Sequence, residues 1–561
     1  MSRLEAQGPP EAAPKSGVIR VSAAAAGASF SKNKSLFAGP RHMIAFWSGS
    51  FMVAAGVALH LPMFWMGRKT GFRLAGMPMD NGMRIGMALI IFGIAAAAYG
   101  LLPRRLPERA GAGTITPPED APLTRAHWIQ LGLIGIALVI DVMKAATLGF
   151  VTPGMRVEYG LNAASIAVLP VVALLGTTLG SFIWGALADI FGRRASILLA
   201  AVMFVGTSIC GAMPSFAWNL FMCFMMGLAA GGMLPVANAL LAEIMPTRHR
   251  GWCLVLLGGI GTIGGYFATS ELSALLQPHF GWRIMWLIGF PTGLILVGLS
   301  PLLPESARFL METGHIREAR EILARYGTVI TMDRDLSAGE AASRANREEP
   351  LARVKSGPRT GLSIALTLAA LAWGFVNFGV MLWLPASLIA EGRSVGLTSA
   401  LIARSALIAV PTVAVATYLY SLWSTKRVLI LAIAITTLGL LATLLRNDSA
   451  VPFLSNPLVF VSLLIVGTSG VISILMPYAA ESFPVRQRGR ATGWVAGCSK
   501  VGGVIAQGLA ALALVPAFGL AAGAIAIPTI ASLLLIAAFG NETRGRDLRE
   551  LEALAAASHG E

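Results

Sequence analysis

The chain alternates between long apolar runs and short polar connections. A helix that crosses the hydrocarbon core of a bilayer needs about 20 apolar residues, and fourteen segments meet that requirement. Two of them lie near the N-terminus, at 43–65 and 85–102. The other predicted spans are 127–149, 166–188, 195–213, 219–241, 252–275, 284–303, 362–389, 397–421, 428–444, 457–480, 491–514 and 520–539. The pattern therefore predicts an all-α polytopic membrane protein with 14 spans.

The last twelve spans form two halves that repeat one another. Short polar segments recur at corresponding span ends in both halves, in one common register. The matched segments are 243–251 with 481–489, 304–306 with 541–543, and 193–194 with 426–427. The first pair shares Glu, Pro, Arg and Gly at the same spacing. A duplicated membrane domain of this kind is typical of transporters, whose two bundles close around a site at the midplane.

The pattern also divides the chain into successive segments. We expect a disordered cytoplasmic tail at 1–42, two extra transmembrane helices at 43–102, a linker at 103–126, an N-terminal six-helix bundle at 127–303, a cytoplasmic linker at 304–361, a C-terminal six-helix bundle at 362–540 and a cytoplasmic tail at 541–561. The first span has no charge between Met43 and Trp65, so a retained anchor is expected rather than a cleaved signal. Within the cytoplasmic linker, 315–325 predicts a short amphipathic helix.

Composition agrees with a membrane protein and disfavours other classes. Apolar residues make up 55% of the chain and charged residues only 13%, whereas soluble domains average about a quarter charged residues. The net charge of +15 does not indicate a nucleic-acid partner, because the basic residues cluster beside the spans. The four cysteines have no metal-binding spacing. With no nucleotide loop or catalytic triad, we expect no enzyme activity, no cofactor and no metal.

The distribution of Lys and Arg predicts the orientation of the chain. One set of loops in the duplicated body contains Arg193, Arg194, Arg248, Arg250, the 304–361 segment, Lys426, Arg427, Arg486, Arg488 and Arg490. The opposite set contains Arg156, Arg283, Arg393 and Arg446. Since loops rich in Lys and Arg stay in the cytoplasm, both termini are predicted to be cytoplasmic. The expected location is the inner (plasma) membrane of a bacterial cell.

The motifs at the span ends resemble those of the major facilitator superfamily. They are 185–194 (GALADIFGRR), 243–251 (EIMPTRHRG), 280–283 (FGWR), 304–310 (PESARFL) and 542–548 (ETRGRDL). Together they are similar to the motifs of the aromatic-acid:proton symporter and sugar-porter branches, and the resemblance covers about 127–551. It implies the major facilitator fold of two six-helix bundles, here with two extra N-terminal helices, and a monomeric transporter.

The same resemblance implies a cytoplasmic gate in which acid–base pairs hold the two halves together. The residues concerned are Gly185, Asp189, Gly192, Arg193, Arg194, Glu243, Arg250, Glu305, Arg308, Glu481 and Arg488. We expect Gly185 and Gly192 to let backbones approach closely. An alternative is that these residues only anchor the topology. The chain also departs from the family pattern, with Ile190 after Asp189 and Cys223 where many relatives have an arginine.

Five ionisable residues lie inside the predicted spans of the body: Asp141, Lys144, Glu271, Arg404 and Lys500. A charge near the bilayer centre costs several kcal/mol, so each is a candidate functional residue. Cations outnumber firmly buried anions, which favours an anionic solute. We expect Asp141 to exchange the coupling proton. The predicted substrate-binding residues are Lys144, Asn238, Trp373, Asn377, Arg404 and Lys500.

The sequence thus predicts proton-coupled uptake of a small organic anion, such as an aromatic or short-chain carboxylic acid, by alternating access. The expected partners are that solute, protons and the lipid bilayer. A sugar or polyol porter is the first alternative, because it shares the 304–306 and 542–543 motifs, although sugar sites have few fixed charges. A membrane sensor or scaffold that does not transport is a second alternative, suggested by the N-terminal pair of helices.

Overall fold

The computed structural model describes residues 39–102, 114–115, 123–299, 302–326, 330–331, 360–446, 453, 456–483 and 485–544. Most of the predicted N-terminal tail, the second part of the cytoplasmic linker and most of the C-terminal tail lie outside these residues. The side chains of 485–489, and with them the predicted gate residue Arg488, are also outside the description.

The helices of the first part of the chain are α1 Pro40–Thr70, α2 Asn81–Leu101, α3 Arg125–Glu158, α4 Ala163–Phe191, α5 Arg193–Ala212, α6 Phe216–Ile244, α7 Thr247–Phe280 and α8 Ile284–Leu299. Two short helices follow, α9 Ala307–Glu312 and α10 Ile316–Arg325. The last part contains α11 Thr360–Ala390, α12 Val395–Leu422, α13 Thr425–Leu445, α14 Pro457–Ser482, α15 Val485–Ala511 and α16 Phe518–Phe539. Each predicted span thus coincides with a helix, and α10 coincides with the predicted amphipathic helix.

In the described residues, twelve helices are long and apolar enough to cross a membrane, namely α1–α7, α11–α14 and α16. The remaining two predicted spans are α8, which is a shorter apolar helix, and α15. Helix length and composition therefore establish twelve of the 14 predicted spans, and the other two stay a prediction. Apart from one antiparallel pair of two-residue strands, β1 Thr114–Ile115 and β2 Ile330–Thr331, the fold is helical.

Capping side chains set several of the helix starts. Asp80 accepts a hydrogen bond from the Met83 backbone at 2.7 Å at the start of α2. Asn162 accepts one from Ser165 at 2.7 Å at the start of α4. Such side chains satisfy backbone N–H groups that have no partner inside the helix. They explain why these apolar helices begin at a defined polar residue.

The two halves of the body meet chiefly along four pairs of helices: α3 with α11, α4 with α15, α7 with α12 and α7 with α14. Small and polar residues make these contacts. A Cβ on Gly149 of α3 would lie 3.1 Å from the Leu382 carbonyl oxygen of α11. The hydroxyl groups of Ser273 on α7 and Ser399 on α12 are hydrogen-bonded at 2.7 Å. Apolar side chains also meet across this boundary, because one buried apolar cluster contains residues of both halves.

The extra helices α1 and α2 form a tight pair packed against α5. A Cβ on Gly49 would lie 2.5 Å from the Gly93 carbonyl oxygen, and one on Gly56 would lie 2.6 Å from that of Gly86. Each of these glycines is therefore needed for the close approach of two backbones, as in membrane helix pairs generally. The pair belongs structurally to the first half of the body.

The loop between α1 and α2 is attached to the first half through Glu158. Its carboxylate accepts hydrogen bonds from the Leu74 backbone at 2.7 Å and from the Trp282 indole at 2.7 Å. It also forms an ion pair with Arg283 at 2.7 Å, and both side chains are almost fully buried. Arg283 in turn donates to the Met213 carbonyl oxygen at 2.8 Å. We call this end of the molecule the Glu158 end, and the opposite one the Glu243 end.

Candidate functional site

Asp141 on α3 and Lys500 on α15 are opposite charges contributed by different halves of the body. Asp141 is only 8% exposed, and its Oδ1 atom is buried without a hydrogen-bond partner in the described part of the chain. The two charges attract each other. Buried polar atoms are usually paired, so an unpaired carboxylate oxygen at this depth marks a position where a proton or a ligand is expected to bind.

A π-helical segment in α11, Val376–Val380, lies beside this pair. It carries Asn377, whose side-chain oxygen accepts a hydrogen bond from the Tyr266 hydroxyl of α7 at 3.1 Å. It also carries Phe378, whose ring lies 4.9 Å from the Lys500 ammonium group. A π segment disturbs the regular hydrogen bonding of a helix and is frequent at functional sites. Here it turns Asn377 toward the first half.

Gln507 connects the π segment to the outer part of α11. Its amide nitrogen donates to the Phe378 carbonyl oxygen, and its amide oxygen accepts from the Trp383 indole at 3.3 Å. Trp373, predicted to bind substrate, instead donates to the Thr468 carbonyl oxygen of α14 at 2.9 Å and packs edge-on against Phe378. Trp373 therefore supports the site from within the second half.

Lys144 points away from Asp141, although the two residues are three positions apart on α3. Its ammonium group donates to the Phe204 carbonyl oxygen at 2.9 Å and to the Thr207 hydroxyl at 3.4 Å. It also lies 4.3 Å above the Phe204 ring. All these partners belong to α5, so Lys144 is buried inside the first half. The structure does not bring this predicted substrate-binding residue to the boundary between the halves.

Arg404 and Asn238 are also outside the group formed by Asp141 and Lys500. Arg404 is exposed and lies on the same face of α12 as the exposed Leu397, Ile408 and Val415. An apolar stripe that runs along a helix in this way is typical of a lipid-facing surface. The structure does not place Arg404 beside Asp141 and Lys500, and its role in substrate binding stays a prediction. Asn238 is half-buried on α6.

The predicted gate motifs of the first half form one polar cluster at the Glu243 end. Glu305 accepts hydrogen bonds from the backbone N–H groups of Arg193 at 2.8 Å and Arg194 at 3.3 Å, in the first turn of α5. Arg193 forms an ion pair with Glu243 at 3.2 Å, and Ser306 donates to the same carboxylate. Glu305 thus caps α5 from a distant part of the chain.

The second half repeats this arrangement. Glu542 accepts a hydrogen bond from the Thr425 backbone at 2.9 Å in the first turn of α13, and Thr543 donates to Glu481 at 2.8 Å. Burial opposes the charge of Glu542, but hydrogen bonds from Ser424 and Thr425 outweigh it and lower the pKa of this carboxyl group. The duplicated motifs therefore produce duplicated helix caps.

Contact between the halves at this end involves Gly251 in the second turn of α7. A Cβ on Gly251 would lie 2.7 Å from a carboxylate oxygen of Glu481 and 3.2 Å from the Tyr420 ring, both in the second half. Tyr420 donates a hydrogen bond to Glu481 at 2.8 Å. Glu481 thus joins the second-half cluster to the first half.

The two glycines of the 185–194 motif behave differently from one another. Gly192 has φ +102°, and a Cβ there would lie 2.5 Å from the Glu305 carboxylate, as the prediction of close approach requires. Gly185 has nothing within 4 Å of its Cβ position, so the same prediction is wrong for this residue. Asp189 is highly exposed and lies 3.6 Å from Arg193. Arg250 lies in the first turn of α7, and Arg308 lies in the first turn of α9.

Sequence reasoning missed Tyr266, Phe378 and Gln507. The sequence does contain a signal for Gln507, because its amide lies inside an apolar run and needs a hydrogen-bond partner there. The roles of Tyr266 and Phe378 depend on neighbours more than 100 residues away in the chain. Within the described residues, no group of three or more His, Cys, Asp or Glu side chains is placed to hold a metal ion.

Known proteins of similar sequence and structure are membrane transporters. The family model described as Major Facilitator Superfamily matches residues 134–507. The niacin transporter NiaP of Acinetobacter baylyi is 25% identical, over 77% of this chain and 98% of its own. A gallate transporter of Pseudomonas putida is 26% identical, over 76% and 97%. The solved structure of the proton:xylose symporter XylE has the same fold, with a TM-score of 0.59 and 18% identity over 76% and 98% of the two chains.

Proposed function

This chain belongs to the Major Facilitator Superfamily of membrane transporters, and we propose that it takes up a small organic acid together with a proton. The observation that carries the proposal is that Asp141 and Lys500 lie on opposite halves of the body inside the membrane, close enough to attract each other. An anion and a cation on separate bundles supply one group for a proton and one for a carboxylate.

We propose that all fourteen apolar helices span the membrane, with both termini in the cytoplasm. The bundles are then 127–303 and 362–540, and the extra pair is 43–102. The excess of Lys and Arg in loops at the Glu243 end supports this orientation. The Glu158 end accordingly faces outward. The proposed location is the inner membrane of a bacterial cell, with the protein acting as a monomer.

The names of two relatives support an aromatic carboxylic acid as the solute. Those proteins are described as transporters of niacin and of gallate, and both compounds are carboxylic acids on an aromatic ring. A carboxylate pairs readily with a lysine ammonium group. The ring of Phe378 next to Lys500 and the side chain of Asn377 would contact the remainder of such a molecule.

The charge pair also suggests how proton and solute are coupled. Lys500 stabilises the negative charge of Asp141 while the site is empty. A substrate carboxylate that binds Lys500 neutralises it, so Asp141 then retains a proton more readily. The loaded site carries one cation and one anion and can cross the membrane without an unpaired charge.

The Glu243-end clusters are proposed to act as the cytoplasmic gate. Most of their bonds hold helices of one half together, which keeps each bundle rigid as it moves. The contact of Gly251 with Glu481 is the part of the cluster that must open when the halves separate. The bonds among Asp189, Arg193, Glu243 and Glu305 stay within the first half and are assigned to the rigidity of this end. Arg194, Arg250, Arg308 and Arg488 are proposed to belong to the same gate.

The test is uptake by proteoliposomes that contain the full chain, with a higher proton concentration outside than inside. The radiolabelled panel holds benzoate, nicotinate, gallate, short dicarboxylates, hexoses and polyols. We expect an aromatic acid to accumulate, to leak out when an uncoupler is added, and to be lost in Lys500→Ala. The matched control is Lys69→Ala, which removes an exposed lysine outside the body and should leave uptake unchanged.

Uptake of a hexose or polyol that is indifferent to Lys500→Ala would replace the proposal with a sugar or polyol porter. A correctly folded protein that transports none of these solutes under any gradient would favour a sensor or scaffold.

A further inference from the structure

A cavity of about 510 Å³ opens between the two halves at the Glu158 end. Its walls come from the last turns of α3, the first turns of α4, the outer half of α11 and the end of α15. Residues at its rim are exposed and those at its floor are buried. The volume is in the range of sites for small molecules. On the orientation proposed above, this cavity is the one that a solute meets from outside.

The polar group at the rim of the cavity is Arg156. Its side chain is exposed, and its Nε atom donates a long hydrogen bond of 3.4 Å to the Leu161 carbonyl oxygen. Among the residues that the structure describes, no carboxylate pairs with Arg156, since the neighbouring Glu158 is occupied by Arg283. The guanidinium group is therefore available to an anion, and its planar fork fits a carboxylate.

The wall of the cavity includes the indole of Trp383 and the side chains of Leu148 and Leu382. Trp383 is partly buried, and its N–H group is held by Gln507. A fixed indole beside aliphatic side chains offers a flat apolar surface for an aromatic ring. The combination of one free cation and one fixed ring surface matches an aromatic acid better than it matches a sugar or a lipid chain.

The floor of the cavity is Gln507, which is only 1% exposed. Lys500 lies seven residues earlier on α15, on the same face and about 10 Å deeper. Both residues contact Phe378, Gln507 through the carbonyl oxygen and Lys500 through the ring. Gln507 thus lies between the cavity and Lys500 along α15.

We propose that this cavity is an outer binding subsite for an aromatic carboxylate, with Arg156 binding the carboxylate and Trp383 the ring. The solute passes from this subsite to Lys500 when Gln507 releases Phe378 and Trp383. The inference rests on the proposed function for its direction. It adds a second site for the same class of solute, whose floor lies about two helical turns from Lys500 along α15.

Cysteine labelling tests occupancy of the subsite without any transport. The four native cysteines are buried, so Thr152→Cys in the cavity wall introduces an accessible thiol. In the purified full chain, benzoate should slow its reaction with a charged thiol reagent, and benzyl alcohol and acetate should do so less. The control thiol is Ser394→Cys, which is exposed at the same end and outside the cavity wall, and benzoate should not protect it.

Transport kinetics test the role of Arg156. In Arg156→Ala, we expect KM for the aromatic acid to rise roughly five- to tenfold, about 1 kcal/mol of binding, with the maximal rate kept. Arg156→Lys should lie between this variant and the wild type. Arg393→Ala removes another arginine at the Glu158 end, outside the cavity wall, and should leave KM unchanged. In Trp383→Leu, the preference for aromatic over aliphatic acids should shrink.

These measurements separate the subsite from the function as a whole. Suppose that the protein transports the acid, that KM is unchanged in Arg156→Ala, and that benzoate does not protect the Thr152→Cys thiol. These results would overturn the subsite but leave the proposed function standing. Protection of Thr152→Cys that depends on Arg156, in a protein without acid transport, would support the subsite and overturn the proposed function. Protection by phospholipid or detergent regardless of acid would show an apolar crevice filled by lipid, and would overturn the subsite.

Discussion

At the scale of single residues, Lys144 and Lys500 illustrate different ways to keep a cation in a membrane. Lys144 is enclosed by one bundle, and its ammonium group donates hydrogen bonds to the Phe204 carbonyl oxygen and the Thr207 hydroxyl. Lys500 belongs to the second bundle, is attracted by Asp141 of the first, and lies 4.9 Å from the Phe378 ring. Only the second lysine changes its surroundings when the bundles move, so only Lys500 is suited to bind a solute in alternation.

Asp141→Asn should separate proton coupling from binding. Asparagine keeps the shape of the side chain but cannot take up or release a proton. We therefore expect uptake driven by a proton gradient to fall to background, while exchange of labelled for unlabelled acid continues. The measurement compares the two modes in the same proteoliposomes. Loss of exchange as well would assign Asp141 to substrate binding instead, and full gradient-driven uptake would remove it from the mechanism.

At the scale of helices and motifs, the repeated segments stabilise helix starts. Glu305 caps α5 and Glu542 caps α13, although each lies more than 100 residues from the helix that it caps. The carboxylate satisfies backbone N–H groups and interacts favourably with the positive end of the helix dipole. Each cap ties the last helix of a half to its third, which closes the six-helix bundle at this end.

The two glycines of the 185–194 motif should respond oppositely to alanine. In Gly192→Ala, the positive φ and the nearby Glu305 carboxylate predict a loss of about 1–3 kcal/mol of stability. In Gly185→Ala, open space and a helical backbone predict a neutral change or a gain of about 0.5–1 kcal/mol. Thermal unfolding of both variants in the same detergent checks this. Equal losses would contradict the capping geometry.

At the scale of the whole molecule, the N-terminal pair of helices is a built-in part of the first bundle. The α1–α2 loop gives backbone hydrogen bonds to Glu158, and the same carboxylate neutralises the buried Arg283. The α1–α2 loop is therefore bound to an ion pair whose two residues, Glu158 and Arg283, both belong to the first bundle. We expect α1 and α2 to move with the first bundle as it rocks against the second.

Glu158→Ala tests this attachment. Removing the carboxylate leaves Arg283 buried without its counter-charge and frees the donors of the α1–α2 loop, so we expect a loss of about 3–5 kcal/mol of stability. The control is Glu391→Ala, because the pair of Glu391 with Arg446 is partly exposed and should contribute about 1 kcal/mol or less. Unfolding followed by circular dichroism compares the two. Similar small losses would show that Glu158 is dispensable for docking.

The sequence by itself determined where helices form and how they repeat. Each predicted span coincides with a helix because an apolar run of this length satisfies its backbone hydrogen bonds only within itself in lipid. Local polar signals such as Asp80 and Asn162 then placed the helix starts. The repeated Glu and Arg motifs located the two clusters at the Glu243 end, and the excess of charge inside spans pointed to Asp141 and Lys500.

Only the tertiary structure decided which way each side chain faces. Apolar helices carry little difference between their faces, so their rotation cannot be read from the local pattern. Lys144 therefore turned out to face α5, Arg404 to face outward, and Gln507 to close a cavity. The capping of α5 by Glu305 and the pairing of Glu158 with Arg283 join residues more than 100 positions apart, and such contacts exist only once the helices have packed.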